Sequence, residues 1–283
     1  MQLMRAFLFS LFILFLVLSR EAISTEIYIH TDNLGDYNSM LKQESSSISS
    51  STFILALSNL DNKLIFQLVT GQRTQQFMKA NDNVCAINKI KTPERSKKYI
   101  FSQPVNLYFS RRLYQLNAFP PIFGDEENNQ KSVSLIDLFN NRPNSHLLIS
   151  NQISYGEELD KLLATIPNEN KLVRQGIDHD YGMISMFSKG RSEFALLYPQ
   201  DVFDYPTNIK SRSYEIASIP PFVTGRLMCS KNEKMEKFID KVNRQLRKVI
   251  ESNALFEAHL PFVSKQELAV FTNYFDTGVR KAK

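Results

Sequence analysis

The sequence lacks tryptophan, has two cysteines and four histidines, and contains none of the short motifs that usually mark a reaction centre. There is no G-x-S-x-G elbow, no H-E-x-x-H, no Walker phosphate loop and no G-x-G-x-x-G fingerprint. These absences argue against the common hydrolases, zinc peptidases and nucleotide-binding enzymes. The histidines are widely separated, and none shares metal-ligand spacing with a cysteine or a carboxylate on one helix face. We therefore expect no cofactor and no bound metal.

A strong excess of one charge is also lacking. The 283 residues carry 34 basic and 29 acidic side chains, which gives a formal net charge of +5. The basic residues are interleaved with acidic ones, whereas a nucleic-acid binder gathers them on one face or in one run. We therefore expect no nucleic-acid partner. The hydrophobic fraction of 43% is close to the globular average, so the chain can bury a core.

Long apolar runs are missing except at the N-terminus. Arg5 precedes the apolar stretch 6–18, and Ala22-Ile23-Ser24 places small residues at the two positions that a signal peptidase reads. This order is typical of a secretory signal. An uncleaved anchor is the alternative, but the stretch is shorter than the roughly 20 residues of a spanning helix. We therefore predict that residues 1–24 are a cleaved signal peptide.

Export changes what the two cysteines imply. In an oxidising compartment Cys85 and Cys229 can form a disulfide that closes a long loop. Two buried free thiols are the alternative. A bridge needs Cα atoms within about 7 Å, which the residues alone do not show, so both states remain open at this point.

Strand-like and helix-like segments alternate along the mature chain. The strand-like segments include 26–30, 63–70, 84–89 and 193–198, and the long segment 234–252 has one apolar face at helical spacing. This order predicts an α/β protein with mostly parallel sheets flanked by helices. In such sheets, ligands bind at the carboxyl ends of the strands.

Three polar segments have ordinary structural interpretations. The serine-rich stretch 45–51 is predicted to be a surface loop, and 154–157 (S-Y-G-E) has the spacing of a helix capping box. The triplet 178–180 (D-H-D) is predicted to be a solvated loop and helix cap rather than an acid–base centre.

Three segments resemble the bacterial extracellular solute-binding proteins of family 3, which include the amino-acid binders of ABC transporters. Segment 83–105 is similar to the family pattern of a strand, T-x-E-R and then apolar-F-S-x-P, matched at Thr92, Glu94, Arg95, Phe101, Ser102 and Pro104. Segments 187–198 and 229–256 resemble a later strand and the final strand with its long helix. The order and spacing fit nearly the whole mature chain.

The resemblance implies a two-lobe periplasmic-binding-protein type II fold with two hinge crossings. Lobe one would hold residues 25–103 and 229–283, and lobe two would hold 107–219, with hinge segments at 104–109 and 220–228. The chain is also similar to a proteobacterial branch that carries one cysteine in the first strand and one in the last. This similarity implies a Cys85–Cys229 disulfide.

The resemblance also implies a set of ligand-binding residues. Arg95 takes the position of the arginine that forks onto the ligand carboxylate. The other residues that face the ligand by position are Asn88, Ile90, Asn151, Ser154, Tyr155, Gly156 and Tyr198. Ile90 lacks the hydroxyl of the family position, and Tyr198 replaces the aspartate that holds the ligand's ammonium group. We therefore expect a carboxylate-bearing or aromatic-stacked solute rather than an ordinary α-amino acid.

Two functions of different class follow. The first is a monomeric periplasmic solute-binding protein that serves an inner-membrane permease or sensor. The second is an interaction module that regulates a membrane sensor and has a degenerate cleft, as Ile90 and Tyr198 suggest. An enzyme on this scaffold would need a carboxylate or histidine projecting into the cleft. The sequence indicates none, so we predict no enzymatic activity.

Overall fold

The computed structural model describes residues 26–80, 83–123, 132–151, 153–203, 205 and 208–282. The predicted signal peptide, residues 1–24, lies outside this part of the chain. Within it, no helix combines the length and apolar character needed to cross a bilayer.

The strands form two separate sheets. Their bounds are β1 (Glu26–Thr31), β2 (Lys63–Leu68), β3 (Val84–Lys89), β4 (Tyr99–Phe101), β5 (Asn106–Phe109), β6 (Arg112–Leu116), β7 (Leu147–Ser150), β8 (Lys171–Arg174), β9 (Phe194–Leu197), β10 (Ser211–Tyr214) and β11 (Phe222–Ser230). The sheet of lobe one has the order β2-β1-β3-β11-β4, with β5 also paired to β11. The sheet of lobe two has the order β10-β6-β9-β7-β8.

Helices cover both sheets. Their bounds are α1 (Leu34–Lys42), α2 (Ile48–Leu57), α3 (Gly71–Ala80), α4 (Pro93–Lys98), α5 (Leu135–Asn141), α6 (Glu157–Thr165), α7 (His179–Ser188), α8 (Pro199–Phe203), α9 (Glu233–Glu251), α10 (Ala254–Glu257) and α11 (Leu268–Phe275). A π-helical turn, Asp276–Arg280, continues α11. This architecture confirms the predicted two-lobe α/β class.

The sheets are mixed rather than mostly parallel, which corrects the prediction in this detail. Strand β1 is parallel to β2 and β3, and β7 is parallel to β8 and β9. The other ladders are antiparallel. The physical reason in lobe one is that β11 brings the chain back from lobe two in the direction opposite to β5, which left lobe one.

The two crossing strands form a short ribbon between the lobes. Asn106 of β5 lies opposite Gly225 of β11, and Phe109 lies opposite Phe222. A Cβ atom at Gly225 would collide with the side-chain oxygens of Asn88 and Asn106. The ribbon therefore needs glycine at this position because two amide side chains approach the backbone closely.

Each lobe has its own core. In lobe one, the apolar face of α9 is buried as predicted, with Phe238, Val242 and Leu246 packed with residues of α2 and of the sheet. In lobe two, Phe139 and Phe194 lie in a separate cluster, with ring centroids 5.9 Å apart. Separate cores allow the lobes to move as units about the ribbon.

Only residues 45–47 of the serine-rich stretch form the predicted loop, and the prediction is wrong for residues 48–51, which begin α2. Ser47 caps α2 in a reciprocal capping box with Ser50, and residues 49–51 are buried. The Ser47 hydroxyl also donates to Asp36 Oδ1 at 2.6 Å. Serine is a weak helix former but a preferred N-cap, and a run of serines hides which one starts the helix.

Cys85 and Cys229 form the disulfide that the resemblance implied. They lie directly opposite each other where β3 pairs with β11, with Cα atoms 4.0 Å apart. The bond joins residues 144 positions apart in the chain. It therefore ties the returning strand to lobe one.

Removing this disulfide will lower stability substantially. In the chain-entropy account, a loop of this length contributes about 5 kcal/mol, and measured losses are typically about 2–5 kcal/mol. We expect the Cys85→Ala/Cys229→Ala double variant to lose free energy of unfolding in that range, measured by urea denaturation. A reductant should weaken the native protein and leave the double variant unchanged. A loss below about 1 kcal/mol would contradict this account.

His259 attaches the C-terminal helices to the ribbon. Its side chain is fully buried, and Nδ1 donates to the Leu255 carbonyl at 2.7 Å. Nε2 therefore accepts from the backbone N–H of Leu107 in β5, at 3.1 Å. Burial lowers the pKa of His259 to about 4, despite the opposing hydrogen bond to Leu255.

Because His259 is buried, the free energy of unfolding should depend on pH below pH 6.5. Because the folded pKa lies below the ordinary value of 6.5, its contribution is present above pH 6.5 and is lost as pH falls towards 4. The loss is at most about 3 kcal/mol. His259→Gln should flatten the slope of unfolding free energy against pH in this interval, whereas His146→Gln, at an exposed position, should leave it unchanged. Equal slopes in the native protein and His259→Gln would disprove the assignment.

Candidate functional site: the cleft between the lobes

The candidate site lies where the carboxyl ends of β1 and β3 face those of β7 and β9, the usual ligand position in such sheets. The central cavity measures about 100 Å³. It is small beside the roughly 300–1,000 Å³ of typical small-molecule sites. Two chambers share lining residues with it, one of about 280 Å³ beside the start of α6 and one of about 350 Å³ near α7 and α8.

Arg95 lines the central cavity from lobe one. Thr92 caps α4 by accepting from the Arg95 backbone N–H at 3.2 Å, and Pro93 occupies the first turn. The Arg95 guanidinium donates to the Ile90 carbonyl at 3.0 Å. Among the described residues, no carboxylate forms an ion pair with it. Burial lowers the pKa of this half-buried guanidinium, although the charges of carboxylates such as Asp160 and Asp32 oppose that effect from a distance.

Asn88, Lys89 and Ile90 also line the central cavity at the end of β3. Asn88 has a φ of 53°, a left-handed conformation that asparagine tolerates, and its amide nitrogen donates to the Tyr108 hydroxyl at 3.4 Å. Lys89 Nζ lies 3.1 Å from Asp32 Oδ2. Lys89 from the end of β3 and Arg95 from α4 thus bring two cations to the cavity, and within the described part of the chain Lys89 is the one of the two that forms an ion pair.

The predicted residues of lobe two separate into groups. Ser154 and Tyr198 line the central cavity, whereas Tyr155 and Gly156 line the chamber beside α6. Asn151 is not among the described residues that line these three cavities, and its backbone N–H donates to Arg174 at 2.9 Å. The structure thus places Asn151 apart from the rest of the predicted set.

The predicted capping box at 154–157 does not form. Gly156 is the N-cap of α6 and provides no side chain for capping. The Ser154 hydroxyl instead donates to Asp160 Oδ2 at 2.6 Å, and the Tyr155 backbone N–H donates to Asp160 Oδ1 at 2.8 Å. The Glu157 carboxylate accepts instead from Lys161 Nζ at 2.7 Å.

Arg111, which no sequence pattern singled out, is buried at the end of the ribbon. Its guanidinium donates to Asp180 Oδ1 at 2.7 Å and to the Leu196 carbonyl at 3.2 Å. Its Cζ lies 3.9 Å from the centroid of the Tyr198 ring and 5.0 Å from that of Tyr155. Burial opposes the charge, but the Asp180 carboxylate outweighs it and raises the pKa of Arg111. Tyr198 therefore stacks on an internal cation.

The triplet 178–180 forms contacts between the lobes, so the predicted solvated loop is wrong, whereas Asp178 does occupy the predicted cap position at the start of α7. The Leu34 backbone N–H donates to Asp178 Oδ1 at 2.6 Å, and the Asp178 backbone N–H donates to the Asp32 carbonyl at 2.9 Å. His179 Nε2 lies 3.6 Å from Asp32 Oδ2. We call the group formed by Asp32, Leu34, Asp178 and His179 the latch. Its partners come from chain segments more than 140 residues apart, which is why local patterns did not reveal it.

The cleft is lined by carboxylates and a histidine, although the sequence analysis predicted that no such group projects into it. Asp32, Asp36, His179 and Asp180 all line the central cavity. Burial alone would raise the pKa of Asp32, but the charges of Lys89 and His179 outweigh it and hold the pKa below its usual value. Burial lowers the pKa of His179, whose Nδ1 bonds to the Ser150 hydroxyl. Among the described residues, no group of three or more potential ligands is arranged to hold a metal.

Solved structures of the same fold include binding, sensing and enzyme-related proteins. A histidine kinase sensor domain with similarity to periplasmic binding proteins matches with a TM-score of 0.63 and 8% identity, over 87% of this chain and 98% of that one. A structure on glutathione import through GshT and the cystine importer TcyBC of Streptococcus mutans matches with a TM-score of 0.61 and 13% identity, over 85% and 95%. The ancestral amino acid-binding protein AncCDT-1, a precursor of cyclohexadienyl dehydratase, matches with a TM-score of 0.60 and 12% identity, over 84% and 96%.

The chain has the fold of the two-lobe periplasmic binding proteins. The coverage of both chains is high, and the low identities show likeness of fold alone. No protein-family model and no curated protein matches the sequence. The side chains in the cleft must therefore carry any argument about function.

The latch should set the balance between closed and open lobes. Asp178 has a φ of 52°, which glycine also adopts, so Asp178→Gly removes the carboxylate without backbone strain. A charge-assisted hydrogen bond at a partly solvated site is worth about 1 kcal/mol, or roughly a fivefold shift towards the open form. Hydrogen exchange of the Leu34 amide and the radius of gyration in solution should both increase.

Asp178→Asn is the matched control, because it keeps an acceptor and also tolerates the left-handed backbone. It should remain closer to the native protein than Asp178→Gly in both measurements. If Asp178→Gly left both measurements unchanged, the lobes would be held together elsewhere.

Proposed function

We propose that this protein is an exported solute-binding protein that captures a small, carboxylate-bearing solute between its lobes for transport or sensing. The observation that carries the proposal is Arg95, a half-buried guanidinium in the cleft without an ion-pair partner among the described residues. A guanidinium offers two parallel N–H donors that match a carboxylate, and a desolvated cleft strengthens the pair.

The chain organisation supports capture by closure. We infer lobes of residues 25–103 with 229–283 and of 107–219, which rotate about hinge segments 104–109 and 220–228. A hinge of a few residues suits such a closure. Arg95 would hold the solute from lobe one, and Ser154 would face it from lobe two. A monomer of this kind would hand its solute to a permease or a sensor in the inner membrane.

Export is supported by two features. Residues 1–24 have the order of a secretory signal. The Cys85–Cys229 disulfide suits the oxidising periplasm and would be rare in the cytosol.

We infer binding rather than catalysis from the partners of the acid and base groups. Asp32 is shared by Lys89 and His179, and Asp180 is paired with Arg111. The carboxylate of Asp36 accepts from Ser47. The two ion-paired carboxylates, Asp32 and Asp180, hold the cleft together, whereas a general acid or base must reach the substrate.

A second candidate is an interaction module that regulates a membrane sensor through a degenerate cleft. The small central cavity favours it, as does Arg111, an internal cation that already stacks on Tyr198. A sensor domain is among the proteins that share this fold.

Ligand screening with Arg95→Ala tests the first candidate. A true solute at a hundredfold excess over its Kd should stabilise the native protein by about 2.7 kcal/mol. We expect thermal-shift screening of small carboxylates to find such a solute, and Arg95→Ala to weaken its binding at least tenfold because the bidentate pair is lost.

Arg247→Ala is the control, since Arg247 is exposed on α9, away from the cleft. It should bind like the native protein. If no carboxylate stabilises the intact fold, and a membrane protein from native extract binds equally to the native chain and Arg95→Ala, the second candidate replaces the first.

A further inference from the structure

The chamber near α7 and α8 differs in chemistry from the cavity that Arg95 lines. Four tyrosines line it, Tyr108, Tyr181, Tyr198 and Tyr205, and we call it the tyrosine chamber. It measures about 350 Å³ and shares Asp36, Asn88 and Asp180, among others, with the central cavity. The tyrosine chamber therefore adjoins the cavity that Arg95 lines.

Gln200 is the clearest sign that this chamber takes a ligand. Its side chain lines the chamber and the residue is 7% exposed, yet neither the amide oxygen nor the amide nitrogen has a hydrogen-bond partner in the part of the chain that the structure describes. Buried amides in native proteins are nearly always hydrogen-bonded, and an unsatisfied one destabilises the fold. The buried amide of Asn106 also lacks a partner, but Gln200, unlike Asn106, lines one of these cavities, where a bound group can satisfy it.

The described charged side chains that line the chamber are all acidic, although Arg111 stacks on Tyr198, one of the lining rings, without lining the chamber itself. Asp36, Asp180 and Asp201 line it, and no lysine or arginine is among the described lining residues. Asp180 already accepts from Arg111, whereas Asp36 forms no ion pair with a described residue. Burial raises the pKa of Asp36, and the neighbouring Asp32 and Asp180 carboxylates add to this effect against its hydrogen bond to Ser47. An incoming cation would relieve that repulsion.

The aromatic side chains suit a cation as well. The rings of Tyr181 and Tyr205 lie 5.6 Å apart, and Tyr108 stacks on Tyr198 at 5.2 Å. Tyrosine faces attract ammonium and guanidinium groups, and more strongly where water is excluded. Tyr181 is 60% exposed, so it stands at the mouth of the chamber.

We propose that the tyrosine chamber binds a cationic nitrogen group of the solute, an ammonium or a guanidinium, with Gln200 and Asp36 as its acceptors. The proposal rests on the proposed function, since the other end of the same solute would meet Arg95. The substrate class is then a bipolar molecule with a carboxylate at one end and a cationic nitrogen at the other. These acceptors would take the role of the aspartate that the amino-acid binders have at the position of Tyr198.

Isothermal titration with three matched probes tests the proposal on the full mature chain. The probes are 4-guanidinobutyrate, which has both groups, propylguanidine, which has only the cation, and butyrate, which has only the carboxylate. Gln200→Leu should weaken both guanidinium probes about tenfold and leave butyrate unchanged. Asp36→Asn should weaken the same two probes, and Arg95→Ala should weaken 4-guanidinobutyrate and butyrate but not propylguanidine.

Two controls separate a binding role from a structural one. Gln76→Leu makes the same change at an exposed site of α3 and should alter no affinity. The unliganded Gln200→Leu variant should melt at or above the native temperature, because leucine fills the place of an unpartnered amide. A structural defect would lower the melting temperature of Gln200→Leu, so weaker binding at an undiminished melting temperature would indicate a binding role.

The failures of the two proposals are distinguishable. If propylguanidine and 4-guanidinobutyrate fail to bind the native protein, or if Gln200→Leu and Asp36→Asn both bind them within twofold of native, the chamber proposal is overturned. Butyrate binding that depends on Arg95 would then leave the proposed function standing. Guanidinium binding that depends on Gln200 but not on Arg95 would support the chamber and remove the carboxylate part of the proposed function.

Discussion

The antiparallel placement of β11 is the constraint on which the rest of the structure depends. This one strand pairs with β3, β4 and β5, and it carries Cys229, which is bonded to Cys85. Its first four residues pair with β5 in the ribbon between the lobes, and its end belongs to the sheet of lobe one. The disulfide therefore fixes the lobe-one end of the ribbon, and the hinge that we propose would flex in the residues nearer lobe two.

The charges of the cleft are arranged so that closure leaves few buried ions unpaired. Asp32 faces Lys89 from its own lobe and His179 from the other, and Arg111 faces Asp180. Removing one partner of a buried pair leaves an uncompensated charge, which is far more destabilising than the pair is stabilising. Against this background Arg95 and Gln200 stand out among the residues that line the cleft, because with the described residues Arg95 forms no ion pair and the Gln200 amide forms no hydrogen bond. Both point to groups that the protein itself does not supply.

Much of the fold follows from local sequence, whereas the contacts between lobes do not. The apolar stripe of α9 and the strand β3 are encoded by their own spacing, and the Arg95 position follows from the T-x-E-R motif. His179 was misjudged because its environment is built from Asp32 and Ser150, which lie far away in the chain. Arg111 belongs to no motif and became important only because two tyrosines and Asp180 surround it.

The environment of Gln200 is even harder to predict from the sequence. A glutamine after proline in a short helix is ordinary on a surface, and only the packing of both lobes makes it a buried, unsatisfied amide. The hydrogen-bonding potential of such a residue is a property of the closed state. The same holds for the latch, which closes the lobes through the protein's own hydrogen bonds.

The hydrogen bonds of the latch have a thermodynamic consequence for solute binding. A ligand shifts an equilibrium between open and closed lobes only by the difference in its affinity for the two states. Because the latch already favours closure, a solute gains selectivity chiefly from groups that are complete only when the lobes meet. The tyrosine chamber has this character, since Asp36 and Asn88 come from lobe one while Gln200 and Tyr205 come from lobe two. A solute that reached only Arg95 would bind open and closed lobes nearly alike, whereas one that also satisfied Gln200 would bind the closed form selectively.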